Sequence, residues 1–356
     1  MMTASEATRL PRFVIDRRLG NTPIRRVTTE VEELVQIPGS VRNCVVFLYY
    51  DRNDGRGPRP AGTAFFVRAG EGACHILSDF IVTARHVIDA IKNQGCDEVI
   101  IRANLQSGGS DFIRTEIGHW HPHSDPDVDV SVFYAPLLAG SDIFAEPIPT
   151  SNMLTRENLR ELNVRFGEDV FLTGLFRQHL GKRHMVPVIR TGSLASDPDP
   201  ELEERIPLRE DGREYEIDGY LIETKSIGGL SGSPVFFEPG THRWLITSEG
   251  PNPTKLVAMA VPESYWLGLI HGHWDVRSSI GEDMNTGMAI VVPAEKVIEV
   301  LGQDDVAKDC VQTRTERYGE VALDSATGEQ PFSDSDFNAA LRKVSRRKPS
   351  GPEKAS

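Results

Sequence analysis

The chain has 356 residues, enough for two core-forming units with flanking segments, and a net charge of −13 at pH 7. This acidic balance argues against a chain that binds nucleic acid, because phosphate binding needs basic surface. No apolar run approaches the roughly 18 residues that span a bilayer, and the start of the chain lacks the apolar segment of a secretory signal. We therefore expect a protein that neither binds nucleic acid nor enters a membrane.

The four cysteines, Cys44, Cys74, Cys96 and Cys310, show no paired spacing. This usage favours reduced thiols and a cytoplasmic protein. The alternative is an exported protein with a Cys44–Cys74 bridge.

The 31 glycines and 23 prolines favour many short strands joined by turns. Residues 1–41 are polar and form an N-terminal extension. Residues 42–145 and 146–302 then each carry about six β-like segments, which predicts two small barrels or sandwiches. A helix with one apolar face, Ala294–Leu301, closes the second group. The predicted strands are Asn43–Tyr50, Gly62–Val67, Cys74–Ala84, Glu98–Ala103, Phe112–Ile117, Val130–Ala135, Asp169–Gly174, Met185–Leu194, Gly219–Thr224, Ser233–Phe237, Leu256–Ala260, Leu267–His271 and Gly287–Val292.

Residues 303–356 form a polar tail, which we expect to be unordered as far as a short amphipathic helix at 336–345. In that helix Phe337, Ala340, Leu341 and Val344 share one face. Either the helix packs on its own domain or it docks on a regulatory partner.

The stretch Gly229–Pro234 reads GLSGSP and precedes an apolar run. A serine between glycines can present its hydroxyl while neighbouring backbone N–H groups converge on one point. Acyl transfer needs this combination of a nucleophile and an oxyanion site. Ser231 is the candidate nucleophile.

A base and a carboxylate stand in suitable contexts elsewhere. His86 follows an apolar strand ending in Thr-Ala, where a histidine can take a proton at neutral pH. Asp129 lies where an acidic loop enters an apolar strand, so it can orient the imidazole. Asp127 is the alternative carboxylate. We favour Asp129 because the strand that follows it remains apolar.

Four stretches together resemble the chymotrypsin-like serine peptidases, in particular the bacterial trypsin-like peptidase domains. They are Gly62–Val67 (GTAFFV), Thr83–Val87 (TARHV), Asp129–Val132 (DVSV) and Gly229–Pro234. The resemblance covers about residues 42–302. It implies an all-β fold of two six-stranded antiparallel barrels, with His86 and Asp129 in the first barrel and Ser231 in the second.

The resemblance also implies a serine endopeptidase that cleaves protein or peptide substrates without a cofactor or metal. The backbone N–H groups of Gly229 and Ser231 would form the oxyanion hole, and the strand at 267–273 would pair with an extended substrate. Two positions depart from secreted relatives: Leu230 replaces the aspartate that precedes the serine, and Val87 replaces a cysteine after the histidine. Control by a newly cut N-terminus is therefore not expected.

By the same resemblance, the pocket for the P1 side chain would be lined by Lys225, Ser226, Gly228, His271, Gly272 and His273. A lysine and two histidines there would suit an acidic P1 residue. The alternative is that Lys225 points to solvent.

Two rival functions remain. His119, His121 and His123 alternate along the chain and could suggest a zinc site, although the prolines beside them stiffen the loop against converging ligands. The other rival is a catalytically silent trypsin-like scaffold that binds a peptide or partner.

Overall fold

The computed structural model describes residues 40–70, 78–136, 141–196, 205–210, 213–224, 229–239, 242–246, 254–258, 264–277 and 283–318. The helices are α1 Ser40–Asn43, α2 Arg85–Asn93, α3 Arg156–Glu161, α4 Ala294–Leu301 and α5 Asp304–Tyr318. The strands are β1 Val45–Tyr50, β2 Arg59–Ala69, β3 Ser78–Thr83, β4 Glu98–Asn104, β5 Ser110–Glu116, β6 Trp120–Pro122, β7 Ser131–Tyr134, β8 Ile148–Pro149, β9 Asp169–Gly174, β10 Val188–Leu194, β11 Ile206–Glu210, β12 Arg213–Ile217, β13 Tyr220–Glu223, β14 Pro234–Phe237, β15 His242–Ile246, β16 Thr254–Ala258, β17 Tyr265–Arg277 and β18 Asp283–Pro293.

The first sheet follows the order β5-β4-β1-β2-β3-β7-β6, with β8 added in parallel to β2. Its central strand β1 is a run of valine and aromatic or leucine side chains that is buried almost throughout, as expected for a strand covered on both faces. Phe47, Phe65 and Phe80 fill its core with no exposed surface. The described strands curve into a half-barrel and do not close into a ring.

The second sheet is a closed six-stranded barrel in the order β10-β13-β18-β17-β14-β9. Every pairing in it is antiparallel. Inward-facing residues such as Leu172, Val235 and Ile270 are fully buried. Two hairpins, β11-β12 and β15-β16, pair separately from the barrel.

This architecture confirms the predicted all-β class, the six-stranded second barrel and the helix that follows it. It agrees with a chymotrypsin-like double barrel, with one difference in the first half. There the sheet has seven strands in an open path, with the eighth strand paired to β2, instead of six in a ring. Strand β8 begins at Ile148, just beyond the boundary expected at 145, yet it pairs with the first sheet.

The tail contains a helix that we did not expect from the sequence. Residues 304–318 were predicted to be unordered, but they form α5, which buries Val306 and Cys310 completely. Two apolar residues four apart make too narrow a stripe to be recognised as an amphipathic helix. Residues 1–39 and the predicted helix at 336–345 lie outside the described residues.

The expectation that every thiol is reduced is also wrong. Cys44 and Cys96 are free and buried, whereas Cys310 on α5 is disulfide-bonded. Among the described helices none is long and apolar enough to cross a bilayer.

Candidate active site

His86 is positioned by the junction between β3 and α2. Strand β3 ends at Thr83, Ala84 has extended backbone, and the helix begins at Arg85. Val87, Ile88 and Ile91 bury one face of this helix. The side chain of His86 lies on the other face and remains 43% exposed. The amphipathic pattern of α2 therefore fixes the backbone while leaving the imidazole accessible.

Asp129 reaches His86 because β3 and β7 are neighbours. Thr83 pairs with Ser131, so the end of one strand lies beside the start of the other. The carboxylate contacts His86 twice: Oδ1 accepts the backbone N–H at 2.8 Å, and Oδ2 lies 2.7 Å from Nδ1. Two contacts to one residue fix both the position and the ring orientation of the histidine.

The competing carboxylate is placed differently. The backbone N–H of Asp127 donates to Asp125 Oδ1 in the turn that precedes the strand. Asp129 is buried between Val128 and Val130, which are buried as well. The structure thus brings Asp129 to the imidazole and leaves Asp127 in the loop.

A second imidazole contacts the same carboxylate. His271 Nδ1 lies 2.5 Å from Asp129 Oδ2, and the two histidine rings meet edge to face at 5.4 Å. The pairing of β17 with β18 is irregular between Ile270 and Gly272, and such a bulge re-aims the side chain at its centre. His271 is 5% exposed and belongs to the second barrel. It therefore joins the first sheet to the second barrel, and we call the region where His86, Asp129 and His271 meet the cleft.

The charge of Asp129 follows from these contacts. Burial alone would raise the pKa of this carboxyl, but the attraction of His86 and His271 outweighs burial and holds the pKa well below its usual range. The carboxylate stays ionised at neutral pH. It can therefore stabilise an imidazolium beside it.

The turn that carries Ser231 requires glycine on both sides. Gly229 has φ +108° and Gly232 has φ +79°, conformations that L side chains rarely adopt. A Cβ on Gly232 would also lie only 2.2 Å from the carbonyl oxygen of Thr63. The glycines that drew attention in the sequence are thus needed for the shape of this turn.

Thr63 on β2 holds the turn from the first sheet. Its hydroxyl donates to the carbonyl of Gly229 at 2.8 Å, and its backbone N–H donates to the carbonyl of Ser231 at 3.0 Å. The peptide group that joins Leu230 to Ser231 is held by the Ser233 N–H, which donates to the Leu230 carbonyl at 2.9 Å. Three successive peptide planes are therefore fixed, and with them the direction of the Ser231 N–H.

The nucleophile turn lies against the residues that lead into His86. Gly232 packs on Thr83 and Ala84, and Gly62 lies between Val87 and the Ser231 carbonyl. Within the described residues no hydrogen bond joins Ser231 to His86, and such bonds often tighten only when substrate is bound. Neither the Gly229 nor the Ser231 N–H donates to a described residue. Both are candidates for the oxyanion hole.

The remaining predicted substrate residues divide into two groups. Lys225, Ser226 and Gly228 lie outside the described residues. His271, Gly272 and His273 lie on β17, which pairs with β18 along one edge. On the other edge β14 pairs with β17 only as far as Leu269, so from His271 onward that edge is open among the described strands. The acidic P1 pocket stays a prediction, and His271 Nδ1 is directed at Asp129.

Two potential metal-binding groups behave differently. His86, Asp129 and His271 place one ligand atom each within 4.8 Å of one another. The alternating histidines instead face three carboxylates on the C-terminal helices, each at 3.0 Å: His119 and His121 share Asp309, His121 also faces Asp305, and His123 faces Glu299. We call this second set the histidine ladder. It was not expected from the sequence, which carried no sign of helix α5.

Comparison with known proteins gives structural likeness alone. No protein-family model and no curated protein matches the chain. Two solved structures of Rv3671c are similar, one from M. tuberculosis H37Rv as a serine-to-alanine mutant in an inactive form, the other described as a protease in an inactive form. Each has 16% sequence identity and a TM-score of 0.39. They cover 78% of this chain and 96% or 97% of their own.

Proposed function

We propose that this protein is a serine endopeptidase that hydrolyses peptide bonds through Ser231, His86 and Asp129. The observation that carries the proposal is the double contact of Asp129 with His86, at 2.8 and 2.7 Å, beside a glycine-framed serine turn. A buried carboxylate that orients a half-exposed imidazole is the arrangement required to activate a hydroxyl nucleophile.

In the proposed reaction the Ser231 hydroxyl attacks the scissile carbonyl and His86 Nε2 takes its proton. Asp129 stabilises the resulting imidazolium, while the N–H groups of Gly229 and Ser231 bind the oxyanion. The imidazolium then gives the proton to the leaving amine. Water attacks the acyl-enzyme with His86 again as base, which releases the acid product and restores the serine.

The proposed substrate is an extended segment of a protein or peptide. The open edge of β17 from His271 onward offers backbone groups to such a segment. The reaction uses no cofactor. Matched peptides with glutamate, leucine or arginine at P1 test the acidic pocket, because faster cleavage after arginine or leucine would rule it out.

The decisive test is labelling of the full-length protein by a fluorophosphonate. We expect rapid labelling that is abolished in Ser231→Ala and retained in Ser233→Ala. Ser233 is a matched control because it lies on the same turn but is fully buried. A well-folded protein that does not label would overturn the proposal.

That negative outcome would favour the other candidate, a silent trypsin-like scaffold that binds a peptide or partner. One observation supports it: the described side chains of Ser231 and His86 are not hydrogen bonded to each other.

A regulatory partner that binds through 336–345 also remains a proposal. A cytoplasmic location does too, and with Cys310 in a disulfide the cysteines no longer favour a reducing compartment.

A further inference from the structure

The cleft contains a second imidazole, that of His271, which the proposed acyl transfer does not use and which can bind a metal ion. Two imidazole nitrogens and one carboxylate oxygen, from His86, His271 and Asp129, all lie within 4.8 Å of one another. Imidazole and carboxylate are the ligands that Zn²⁺ prefers when thiolates are absent, and three protein ligands leave a fourth position open. A water molecule can occupy this fourth position and complete a tetrahedral site.

Burial restricts these ligands, while one of them stays accessible. His271 and Asp129 are 5% and 9% exposed, so both side chains are shielded from bulk solvent. The half-exposed His86 provides the route by which an ion can enter from solvent.

The distances require only a small rearrangement. Each Nδ1 now lies 2.5–2.7 Å from Asp129 Oδ2, a hydrogen-bond separation. A tetrahedral ion about 2.1 Å from each ligand would hold those atoms about 3.4 Å apart. Both histidines therefore have to move outward by less than about 1 Å. An exposed helix residue and a bulged strand residue can make such a shift.

We propose that His86, Asp129 and His271 form a reversible binding site for a divalent transition-metal ion of the Zn²⁺ class, and that the bound ion switches the peptidase off. The inhibitory part rests on the proposed function, whereas the binding part does not. An ion on His86 Nδ1 leaves the ring proton on Nε2. Nε2 then has no lone pair to accept the serine proton, so the base is blocked.

The histidine ladder provides an internal contrast. Its imidazoles face carboxylates that are spread along α4 and α5, and in the described part of the chain they do not gather three ligand atoms at one point. A metal that merely adsorbs to histidines would bind there. A metal that needs convergent ligands binds in the cleft.

The binding experiment uses the full-length Ser231→Ala protein, which keeps all three ligands and cannot digest itself. Zn²⁺ is titrated by calorimetry in the presence of a competing chelator. We expect one tight site whose affinity falls by at least about tenfold when His271→Gln is added. Adding His119→Gln and His121→Gln instead should leave that site unchanged. Unchanged affinity with His271→Gln, in protein shown by circular dichroism to be folded, would overturn the proposal, as would loss of the site in the ladder variant.

The inhibition experiment measures fluorophosphonate labelling of the wild-type protein. Zn²⁺ should slow labelling at the concentration that saturates the calorimetric site, and a chelator should restore it. Saturation without slower labelling would contradict the inhibitory role. If the wild type never labels, the proposed peptidase function fails while the calorimetric result still decides the metal site.

Discussion

The same side chains, histidine and carboxylate, meet in two regions of this molecule with different results. In the cleft a single buried carboxylate, Asp129, serves two imidazoles from two different barrels. In the histidine ladder three imidazoles face three carboxylates, and Asp305 and Glu299 are about half exposed. In the cleft two imidazoles share one carboxylate charge, and the turn that carries Ser231 is adjacent. In the ladder three carboxylates serve three imidazoles, although His119 and His121 share Asp309, and the contacts fasten helices to a sheet.

The sharpest test of this contrast replaces one carboxylate in each region. Asp129→Asn should lower kcat/KM by about 10⁴-fold, because the amide can no longer hold the correct tautomer or stabilise the imidazolium. Asp309→Asn should leave kcat/KM within about twofold. Steady-state cleavage of one peptide by both variants measures the difference. Equal losses would mean that the ladder takes part in catalysis.

Thr63 links the first sheet to the nucleophile turn, and its hydroxyl can be removed without changing its shape. Thr63→Val leaves the Gly229 carbonyl and the Leu175 N–H without their shared partner, so unfolding should become about 1–3 kcal/mol easier. We also expect kcat to fall with little change in KM, since the N–H groups that bind the oxyanion lose their alignment. Denaturant unfolding and steady-state kinetics measure the two effects.

Thr63→Ser is the matched control, because it restores the hydroxyl. It should recover most of kcat. If serine loses kcat and valine keeps it, the methyl packing of Thr63 matters and its hydrogen bonds do not.

We expect the histidine ladder to stabilise the fold and to have no part in catalysis. The double variant Asp305→Asn/Asp309→Asn weakens the contacts of α5 with His119 and His121. A loss of about 1 kcal/mol corresponds to a melting temperature about 2–4 °C lower in a domain of this size. Labelling at 25 °C should be unchanged. A fall in labelling without a change in melting temperature would contradict this assignment.

The smallest expected effect is a dependence of stability on acid. For Glu299, burial would raise the carboxyl pKa, but the contacts with Lys296 and His123 outweigh burial and lower the pKa. For Asp305, burial would likewise raise the pKa, and the contact with His121 outweighs it and lowers the pKa. A lowered carboxyl pKa gives stability that is complete above the unfolded value, about 4, and is lost as the pH falls through the folded value. Because both groups are half exposed, solvent screens the effect.

The measurement is the melting temperature between pH 6 and pH 3 for the wild type and for Glu299→Gln/Asp305→Asn. The variant should lose less stability than the wild type below about pH 4.5. Parallel curves would show that other carboxylates dominate acid unfolding.

Much of the fold could be read from local patterns. The apolar runs that became β1, β9 and β14 were recognised within a few residues, because alternating or continuous apolar character follows from burial. The hairpin β11-β12 was missed, since its apolar alternation is only two residues long in each strand, Ile206 with Leu208 and Tyr215 with Ile217, among charged neighbours. Helix α5 was missed for a related reason: polar contacts with the ladder hold much of it, and they appear only when distant segments meet.

By itself the sequence determined the residue types of the site and their local conformations. The glycines around Ser231, the strand end before His86 and the buried start of β7 at Asp129 are all local features, set by backbone sterics and apolar burial. Only the tertiary structure decided which carboxylate meets the imidazole, that His271 shares it, and that Thr63 fixes the nucleophile turn. The contact of Thr63 with Gly229 joins residues that are 166 positions apart, and that of His271 with Asp129 joins residues that are 142 apart. Side chains so far apart in the chain meet only because two sheets pack together, and no periodicity along the chain records that packing.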